Sequence, residues 1–447
     1  MTDARYVEGL RWLYGLSPRG IRLELDRMRR ACARRGDPQA RLPVIHVAGT
    51  NGKGSTSAMI ERIARAAGLR TGLYTSPHLH SFTERVRIDG EPIARDELVA
   101  RLDAIRAMLD EPGAPALTFF EVATLLAFEA FAERALDLVV LEVGLGGRLD
   151  ATNVIERPLV SVITHVDLDH QQYLGTTLRE IAAEKAGIVK AGVPVVHAAD
   201  GIGDEAWPER CARAVVDARA AEVGAESIAL GRELRLAHGV AGSLTVSLGA
   251  RVVDGLRPRL WGRHQEANAA LAVGAAIVAS RVLPVDAEAM RLGVAEVVWP
   301  GRLELAVCDQ ASADGATRAA VQALFDAAHN PDGARALAAF LEARRRSTRE
   351  RVVLVFGAMA DKDWRAMLDA LAPVVDEVVY VAPPLGRAER PEVLARHRAG
   401  TVAPGVAAGL DLARGRGDLV VVCGSIFVLA EARAHLLGIP QDPLIAM

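Results

Sequence analysis

Lysine is nearly missing from this 447-residue chain. Of its 53 basic residues four are lysine (Lys53, Lys185, Lys190 and Lys362), and the remaining 49 are arginine. A GC-rich genome accounts for the bias. Even so, arginine serves wherever positive charge suffices, so the few lysines mark places where a compact primary amine is worth asking about. Cysteine is as scarce. Cys32, Cys211, Cys308 and Cys423 lie far apart with no CxxC pair. That pattern reads as reduced, mostly buried thiols of a cytoplasmic protein, not as a disulfide framework. No stretch reaches the roughly 18 uninterrupted apolar residues a membrane helix needs. The opening MTDARYVEGLRWLYG lacks the apolar run and cleavage site of a signal peptide. A strongly basic surface is absent too. The 53 basic and 56 acidic residues leave a net charge of -3, which argues against nucleic acid or a membrane as partner but leaves room for a local basic cleft. There is no internal repeat and no low-complexity segment. The remaining composition, 51% hydrophobic and 24% charged, is that of a globular chain of two or three domains.

The order of apolar runs indicates the fold class. An amphipathic start, Tyr6 to Cys32, leads to an apolar run at Pro43–Ala48, a glycine-rich turn, and a helical stretch from Ser55 to Ala67. Further buried strands are expected at Leu73–Thr75, Leu136–Val143, Leu159–Thr164 and Val193–Ala198, with helices at Phe120–Arg134 and Leu178–Val189 between them. Strands alternating with helices predict an α/β fold with a P-loop-type, doubly wound, mostly parallel sheet. Residues 226–260, with short alternating segments broken by glycine, predict a small antiparallel patch, followed by a helix over Gln265–Ser280. A boundary at Trp299–Pro300–Gly301 divides a first domain, 1–298, from a second, smaller Rossmann-like α/β domain, 299–447. In the latter, strands at Leu303–Val307, Val352–Phe356, Glu377–Val381 and Leu419–Cys423 alternate with helices at Gly333–Arg346 and from Trp364. Residues 383–417, rich in Pro, Gly and Arg, read as loop.

Three motifs carry chemistry, each at the end of an apolar strand. In the first, Gly49–Thr50–Asn51–Gly52–Lys53–Gly54–Ser55, the strict GxxxxGK[ST] pattern fails. Val47 replaces the first glycine, and Gly54 separates Lys53 from Ser55. The physics survives: glycines let amides curl around an anion, Lys53 adds charge, and the following helix adds its N-terminal dipole. A glycine-rich turn with an incidental lysine is the weaker reading. In the second, Glu142 closes an apolar strand and Gly144–Leu145–Gly146–Gly147–Arg148–Leu149–Asp150–Ala151 follows. An acid at that position suits a magnesium site beside a nucleotide, though a plain turn gives the same pattern. In the third, Asp169 and His170 follow the strand ending at Thr164 as metal ligands or caps, and Lys185 sits in a largely apolar helix. A buried amine there is costly unless paired or modified; a carbamate formed with carbon dioxide would make it an oxygen ligand.

Together GTNGKGS, LYTSPHLHSFTERVRIDG (73–90), TFFEVAT (118–124), LEVGLGGRLDATN (141–153), His170 with Lys185, RHQEANAALA (263–272), WPGRLE (299–304) and DAAHNPDG (326–333) resemble the folylpolyglutamate synthase/dihydrofolate synthase family of the Mur ligase superfamily. The resemblance runs through nearly the whole chain in order. It implies that Gly49 through Ser55 form the ATP phosphate loop, with Lys53, Glu142, His170 and Lys185 catalytic. Ser76, Glu142, His170 and a carbamylated Lys185 would be metal ligands, for two Mg2+ ions, with a monovalent cation as a further expectation. Asn268, Arg302, Asp326 and His329 would contact the nucleotide. Arg22, Leu23, Glu24 and Leu25, Thr118, Phe119, Phe120 and Glu121, and Leu149, Asp150 and Ala151 fall where the family binds the pteroate moiety.

The implied reaction is ATP-dependent amide formation between L-glutamate and dihydropteroate or a folate, through an acyl phosphate, in a cytoplasmic monomer. Asp150, facing the crevice beside Phe119 and Phe120, would accept hydrogen bonds from the pterin; the alternative is that Asp150 caps a turn and the phenylalanines are core. A cell-wall Mur ligase is the nearest competing enzyme. Those ligases place a UDP-binding domain before the ATP loop, and only 48 residues precede Gly49 here. A P-loop ATPase switch would carry an NKxD-type motif, and the nearest segment is Ala360–Asp361–Lys362–Asp363.

Overall fold

The computed structural model describes residues 2–17, 24–199, 212–311, 317–383 and 385–443. Its largest sheet has eight strands: β1 (Val44–Ala48), β2 (Thr71–Tyr74), β3 (Val86–Ile88), β4 (Glu91–Pro92), β5 (Leu138–Glu142), β6 (Val160–Ile163), β7 (Val195–His197) and β8 (Ser227–Ala229). The order is β4-β3-β2-β5-β1-β6-β7-β8. Strands β2 to β8 in that row are parallel, and the β3–β4 hairpin pairs antiparallel at one edge. β1 and β5 are buried along their whole lengths, as continuous apolar runs between two covered faces must be.

Alternate residues of these strands feed two separate cores. Ile45, Val47, Leu73 and Val140 pack with the helices Lys53–Ala66 and Arg263–Ala279. Val44, Tyr74, Val139 and Leu141 pack on the other face with the helices Thr2–Tyr14, Asp26–Arg34, Arg95–Leu109 and Phe119–Ala132. The helix Arg263–Ala279 is alanine-rich and buried on nearly all sides, which lets it lie close against the sheet.

The antiparallel patch is present as β9 (Leu234–His238), β10 (Leu244–Leu248) and β11 (Arg251–Leu256), in the order β11-β10-β9. Its expected span was too wide, because Ser227–Ala229 pairs parallel with β7 and belongs to the large sheet. After the helix Ala287–Glu296 comes a six-stranded sheet, β12 (Glu304–Ala311), β13 (Thr317–Phe325), β14 (Val352–Phe356), β15 (Glu377–Tyr380), β16 (Thr401–Val402) and β17 (Leu419–Cys423). The order is β12-β13-β17-β14-β15-β16, parallel except for the β12–β13 pair.

Residues 383–417 differ from the loop expected of them. They hold the helices Pro391–His397 and Val406–Arg414 with β16 between. Pro391 occupies the first helical turn, where its missing N–H costs nothing, and Leu394, Val406 and Leu410 supply buried contacts. The first expected helix also starts earlier, at Lys53 with Gly52 as its cap, so Lys53 and Gly54 belong to the first turn and not to the loop. Among the described residues no helix is long and apolar enough to cross a membrane.

Candidate active site

Register places the site. Val47 stands beside Glu142, Ala48 beside Ile163, and Tyr74 beside Leu141. The carboxyl ends of β1, β2, β5 and β6 therefore line one edge of the sheet, the crevice where parallel α/β sheets take ligands. Gly49, Ser76, Glu142 and Thr164 all lie on that edge.

At the end of β1 the chain turns through Gly49 at φ +153 and Gly52 at φ +89. A Cβ at Gly49 would fall 1.8 Å from the Thr164 hydroxyl, and one at Gly52 would fall 2.3 Å from Asn268 Oδ1. Both positions thus require glycine for close approach as well as for conformation. Gly54 is similarly enclosed, its Cβ position 2.9 Å from Trp299 Nε1. Thr50 N–H donates to the His165 carbonyl at 2.8 Å and Thr50 Oγ1 to the Asp167 carbonyl at 2.9 Å, which anchors the loop to the β6 side. Ser55 is buried and its hydroxyl accepts from Gln265 Nε2 at 3.2 Å, while Asn268 Nδ2 donates to Gln265 Oε1.

Two lysines converge on one carbonyl. Lys53 Nζ donates to the Gly49 oxygen at 3.1 Å and to the Thr50 oxygen at 3.0 Å. Lys185 Nζ reaches the same Gly49 oxygen at 2.9 Å from the helix Leu178–Ala186. Burial, reinforced by the charge of Lys53, brings the Lys185 amine down to about 7, and burial lowers Lys53 as well, against the pull of Glu142. Glu142, 4% exposed, accepts the Ser76 N–H at 3.1 Å. Burial raises its carboxyl and Lys53 opposes the rise.

His170 takes the left-handed position capping the short helix Gln171–Leu174, at φ +51. Burial lowers its imidazole to about 4, so its ring is neutral at physiological pH with a lone pair available to a metal. Glu142 and Ser76 carry the oxygen donors that a hard divalent cation takes, and His170 carries a nitrogen donor. The glycine cradle at the N-terminus of the helix Lys53–Ala66 fits a polyphosphate.

The second domain closes the crevice. Asp326 is buried and Arg302 half-buried. Asp326 accepts the Leu303 and Ala328 N–H groups at 2.9 Å each, and burial lowers the Arg302 guanidinium while Asp326 and Glu142 favour its charge. His329 Nδ1 pairs with the Ala327 carbonyl at 2.9 Å, leaving Nε2 3.7 Å from Asp169. Several contacts here involve residues the sequence did not single out. Asn51 Nδ2 donates to Asp332 Oδ2 at 2.7 Å, Asn330 Nδ2 to Asn51 Oδ1 at 3.1 Å, and Arg335 Nη2 to Asp167 Oδ2 at 2.9 Å. His165, Asp167 and Asp332 present ligand atoms within 4.8 Å of one another, a grouping that could hold a cation, but Arg335 contacts both carboxylates and neutralises them. Lys362 Nζ lies 2.6 Å from Asp169 Oδ1. Burial pushes the Asp169 carboxyl up, but His170, Lys362 and His329 together hold it well below the usual range. The sequence signal for Lys362 is its rarity, since it is one of four lysines.

The expected pteroate residues divide. Arg22 and Leu23 lie outside the described residues. Glu24 is exposed and pairs with Arg27, and Leu25 is a buried cap of the helix Asp26–Arg34. Thr118 and Glu121 form a capping box on the helix Phe119–Ala132, and Glu121 also accepts from Arg27 Nε at 3.2 Å. Phe119 and Phe120 stay half-buried at the head of that helix. Phe119 stacks on Tyr14 at 5.1 Å and meets Phe82 edge-on at 6.0 Å, and the Phe120 ring fills the space over Gly144. Leu149 and Ala151 pack against the same core. The Asp150 carboxylate is held within its own turn. Its oxygens accept N–H groups of Gly144, Leu145 and Thr152 at 3.1, 2.9 and 3.0 Å, and the Thr152 hydroxyl at 2.5 Å, at 3% exposure. These four bonds are those of the turn-capping alternative.

Comparison with known proteins narrows the class in two steps. Residues 47–276 match the Mur ligase middle domain and residues 312–426 the Mur ligase glutamate ligase domain, so the fold is that of a Mur-type ligase. The dihydrofolate synthase/folylpolyglutamate synthase of Bacillus subtilis is 32% identical over 96% of this chain and 99% of its own, and that of Escherichia coli is 34% identical over 94% and 93%. Escherichia coli FolC in complex with DHPP and ADP superposes with a TM-score of 0.83 at 32% identity, over 96% of this chain and 97% of that one. The chain belongs to the folylpolyglutamate synthase/dihydrofolate synthase family and is an ATP-dependent ligase. It spans about half the length of a Haloferax volcanii relative, a probable bifunctional folylpolyglutamate synthase/dihydropteroate synthase 36% identical over 96% of this chain and 50% of its own.

Proposed function

We propose that the enzyme joins L-glutamate to the free carboxylate of dihydropteroate, of folates, or of both. The observation that carries the reading is the meeting of Lys53 and Lys185 at the Gly49 carbonyl, beside Glu142 and at the N-terminus of the helix Lys53–Ala66. Such a site concentrates positive charge where phosphoryl transfer builds negative charge. An oxygen of that free carboxylate (the pteroate carboxylate of dihydropteroate, or a glutamyl carboxylate of a folate) forms a bond to the γ-phosphorus of ATP and the phosphorus–oxygen bond to ADP breaks, giving an acyl phosphate. The glutamate nitrogen then bonds to that carbonyl carbon, the carbon–oxygen bond to phosphate breaks, and the amine proton passes to a base.

In this reading Gly49 to Ser55 hold the phosphates, and Asn268, Arg302, Asp326 and His329 contact the nucleotide across the two domains, 1–298 and 299–447. Ser76, Glu142 and His170 would hold Mg2+, which when bound screens the phosphate oxygens and activates the phosphorus. A Mn-containing complex of the Yersinia pestis relative with AMPPNP supports a divalent ion at such a site. Lys185 supports a carbamate. A neutral amine is needed to attack carbon dioxide, with a nitrogen–carbon bond formed and one proton released, and burial favours that neutral form. Phe119 and Phe120, with Leu149 and Ala151 behind them, wall the pteroate side.

The test is glutamate-dependent ADP release by the purified protein, run separately with dihydropteroate and tetrahydrofolate. ADP release that needs both glutamate and one of these pteroates is expected. Release indifferent to glutamate would overturn the proposal.

A further inference from the structure

The segment 75–85 carries Ser76 at one end and Phe82, the edge-on partner of Phe119, near the other. It is held from the far side of the molecule. Leu79 packs into the apolar cluster between β13, β17 and the helix Ile426–Leu437 of the second domain. His80 Nε2 meets Arg433 of that helix, and Arg433 grips Glu304 with two bonds of 2.8 Å. The chain leaves the helix through Gly438 in the left-handed conformation and runs back over the first domain. There Asp442 N–H donates to the His80 carbonyl at 2.9 Å. The Asp442 side chain is only 8% exposed. Its Oδ2 accepts the Tyr6 hydroxyl at 2.7 Å and the Phe82 N–H at 2.7 Å, and Arg95 lies 3.4 Å from Oδ1. Arg95 in turn covers the Tyr6 ring at 4.6 Å.

A carboxylate so enclosed, with donors from three separate parts of the first domain, is a costly feature to place at the exit of the second. Its one backbone donor, Phe82, fixes the position of the ring that touches Phe119. We propose that Asp442 is a positioning residue, pinning the segment 75–85 so that the placement of the second domain sets the shape of the pteroate wall. This rests on the reading that Phe119 and Phe82 border the pteroate site. Asp442 touches neither substrate nor metal; it acts through Phe82 and His80.

The experiment measures KM for dihydropteroate or tetrahydrofolate and KM for ATP, in the full-length enzyme, for Asp442→Ala, Asp442→Asn, Tyr6→Phe and Phe119→Ala. Asp442→Ala should raise the pteroate KM about fivefold to tenfold, the loss of charge-assisted bonds to a buried acceptor, and leave the ATP KM within about twofold. Asp442→Asn keeps an acceptor oxygen for Tyr6 and Phe82 and should recover most of the pteroate KM. Tyr6→Phe, which removes one donor only, should shift it in the same direction by about twofold. A residue with a merely structural role would lower the active fraction and leave both KM values alone. Should Asp442→Ala fail to fold, Tyr6→Phe with an unchanged pteroate KM overturns the proposal. A raised KM in Phe119→Ala with wild-type values in folded Asp442→Ala breaks the coupling alone. Wild-type values in both break the pteroate-wall reading and the coupling with it.

Discussion

The phosphate side and the pteroate side of this crevice are built on different principles. On the phosphate side, seven consecutive residues, Gly49 to Ser55, supply the cradle, the charge and the helix end. The ligand there is recognised by backbone shape, and backbone shape is written in contiguous glycines. On the proposed pteroate side, Tyr14, Phe82 and the adjacent pair Phe119 and Phe120 come from three separate places in the chain, and their neighbours are held by caps and ion pairs. A flat ring has no short backbone signature, so it must be met by side chains that tertiary packing brings together.

Breaking the phosphate side should cost most. Lys53→Ala removes the charge beside the transferring phosphate and should lower kcat by about 10^3-fold or more, with an unchanged circular dichroism spectrum; near wild-type turnover would move phosphoryl transfer elsewhere. Lys185→Ala should lose about 10^2-fold, with no rescue by bicarbonate and partial rescue by acetate in the place of a carbamate. The same lysine gives a pH signature. Its folded-state amine, lowered to about 7, is protonated below that pH and cannot take up carbon dioxide. At limiting bicarbonate, activity should therefore climb from pH 6 to pH 8, and a flat profile would remove the carbamate. Asp150→Ala tests whether the turn between the two sides is structural. Four donors would lose their acceptor, so stability should fall by about 3 kcal/mol with both KM values nearly intact in the folded fraction. A selective rise in pteroate KM would instead restore Asp150 to substrate recognition. The smallest effect belongs to Phe119→Ala, a rise of about tenfold in pteroate KM with ATP KM unchanged, from the lost ring contact. An equal rise in both would erase the contrast between the two sides.

That contrast also explains what could be read in the sequence. The doubly wound sheet was legible because β1, β5, β6 and β17 are short continuous apolar runs, a pattern parallel strands buried on both faces produce. The helix at Lys53 was legible from its glycines, though its first turn was placed two residues late because Gly54 looked like loop. Residues 383–417 depart from the expected loop because Pro and Gly do not act as breakers throughout: Pro391 begins a helix. Asp150 keeps two readings in the sequence because nothing local distinguishes a carboxylate facing a ligand from one facing four donors; the donors Gly144 and Leu145 lie across a turn whose path only the fold defines. Lys362 and Asp332 were passed over for a related reason, since each gains its role from a partner more than 190 residues away, or in the case of Asn51 some 281.

The distribution of lysine has a practical reach beyond the reaction. None of the four is openly exposed: Lys185 is buried and Lys53, Lys190 and Lys362 are half-buried, three of them at the crevice. Acylating reagents, amine-directed cross-linkers and surface coupling through lysine therefore have almost no innocuous target on this protein. Conjugation at Lys53, Lys185 or Lys362 will have entered the crevice, and loss of activity should track label at those three and not label at Lys190.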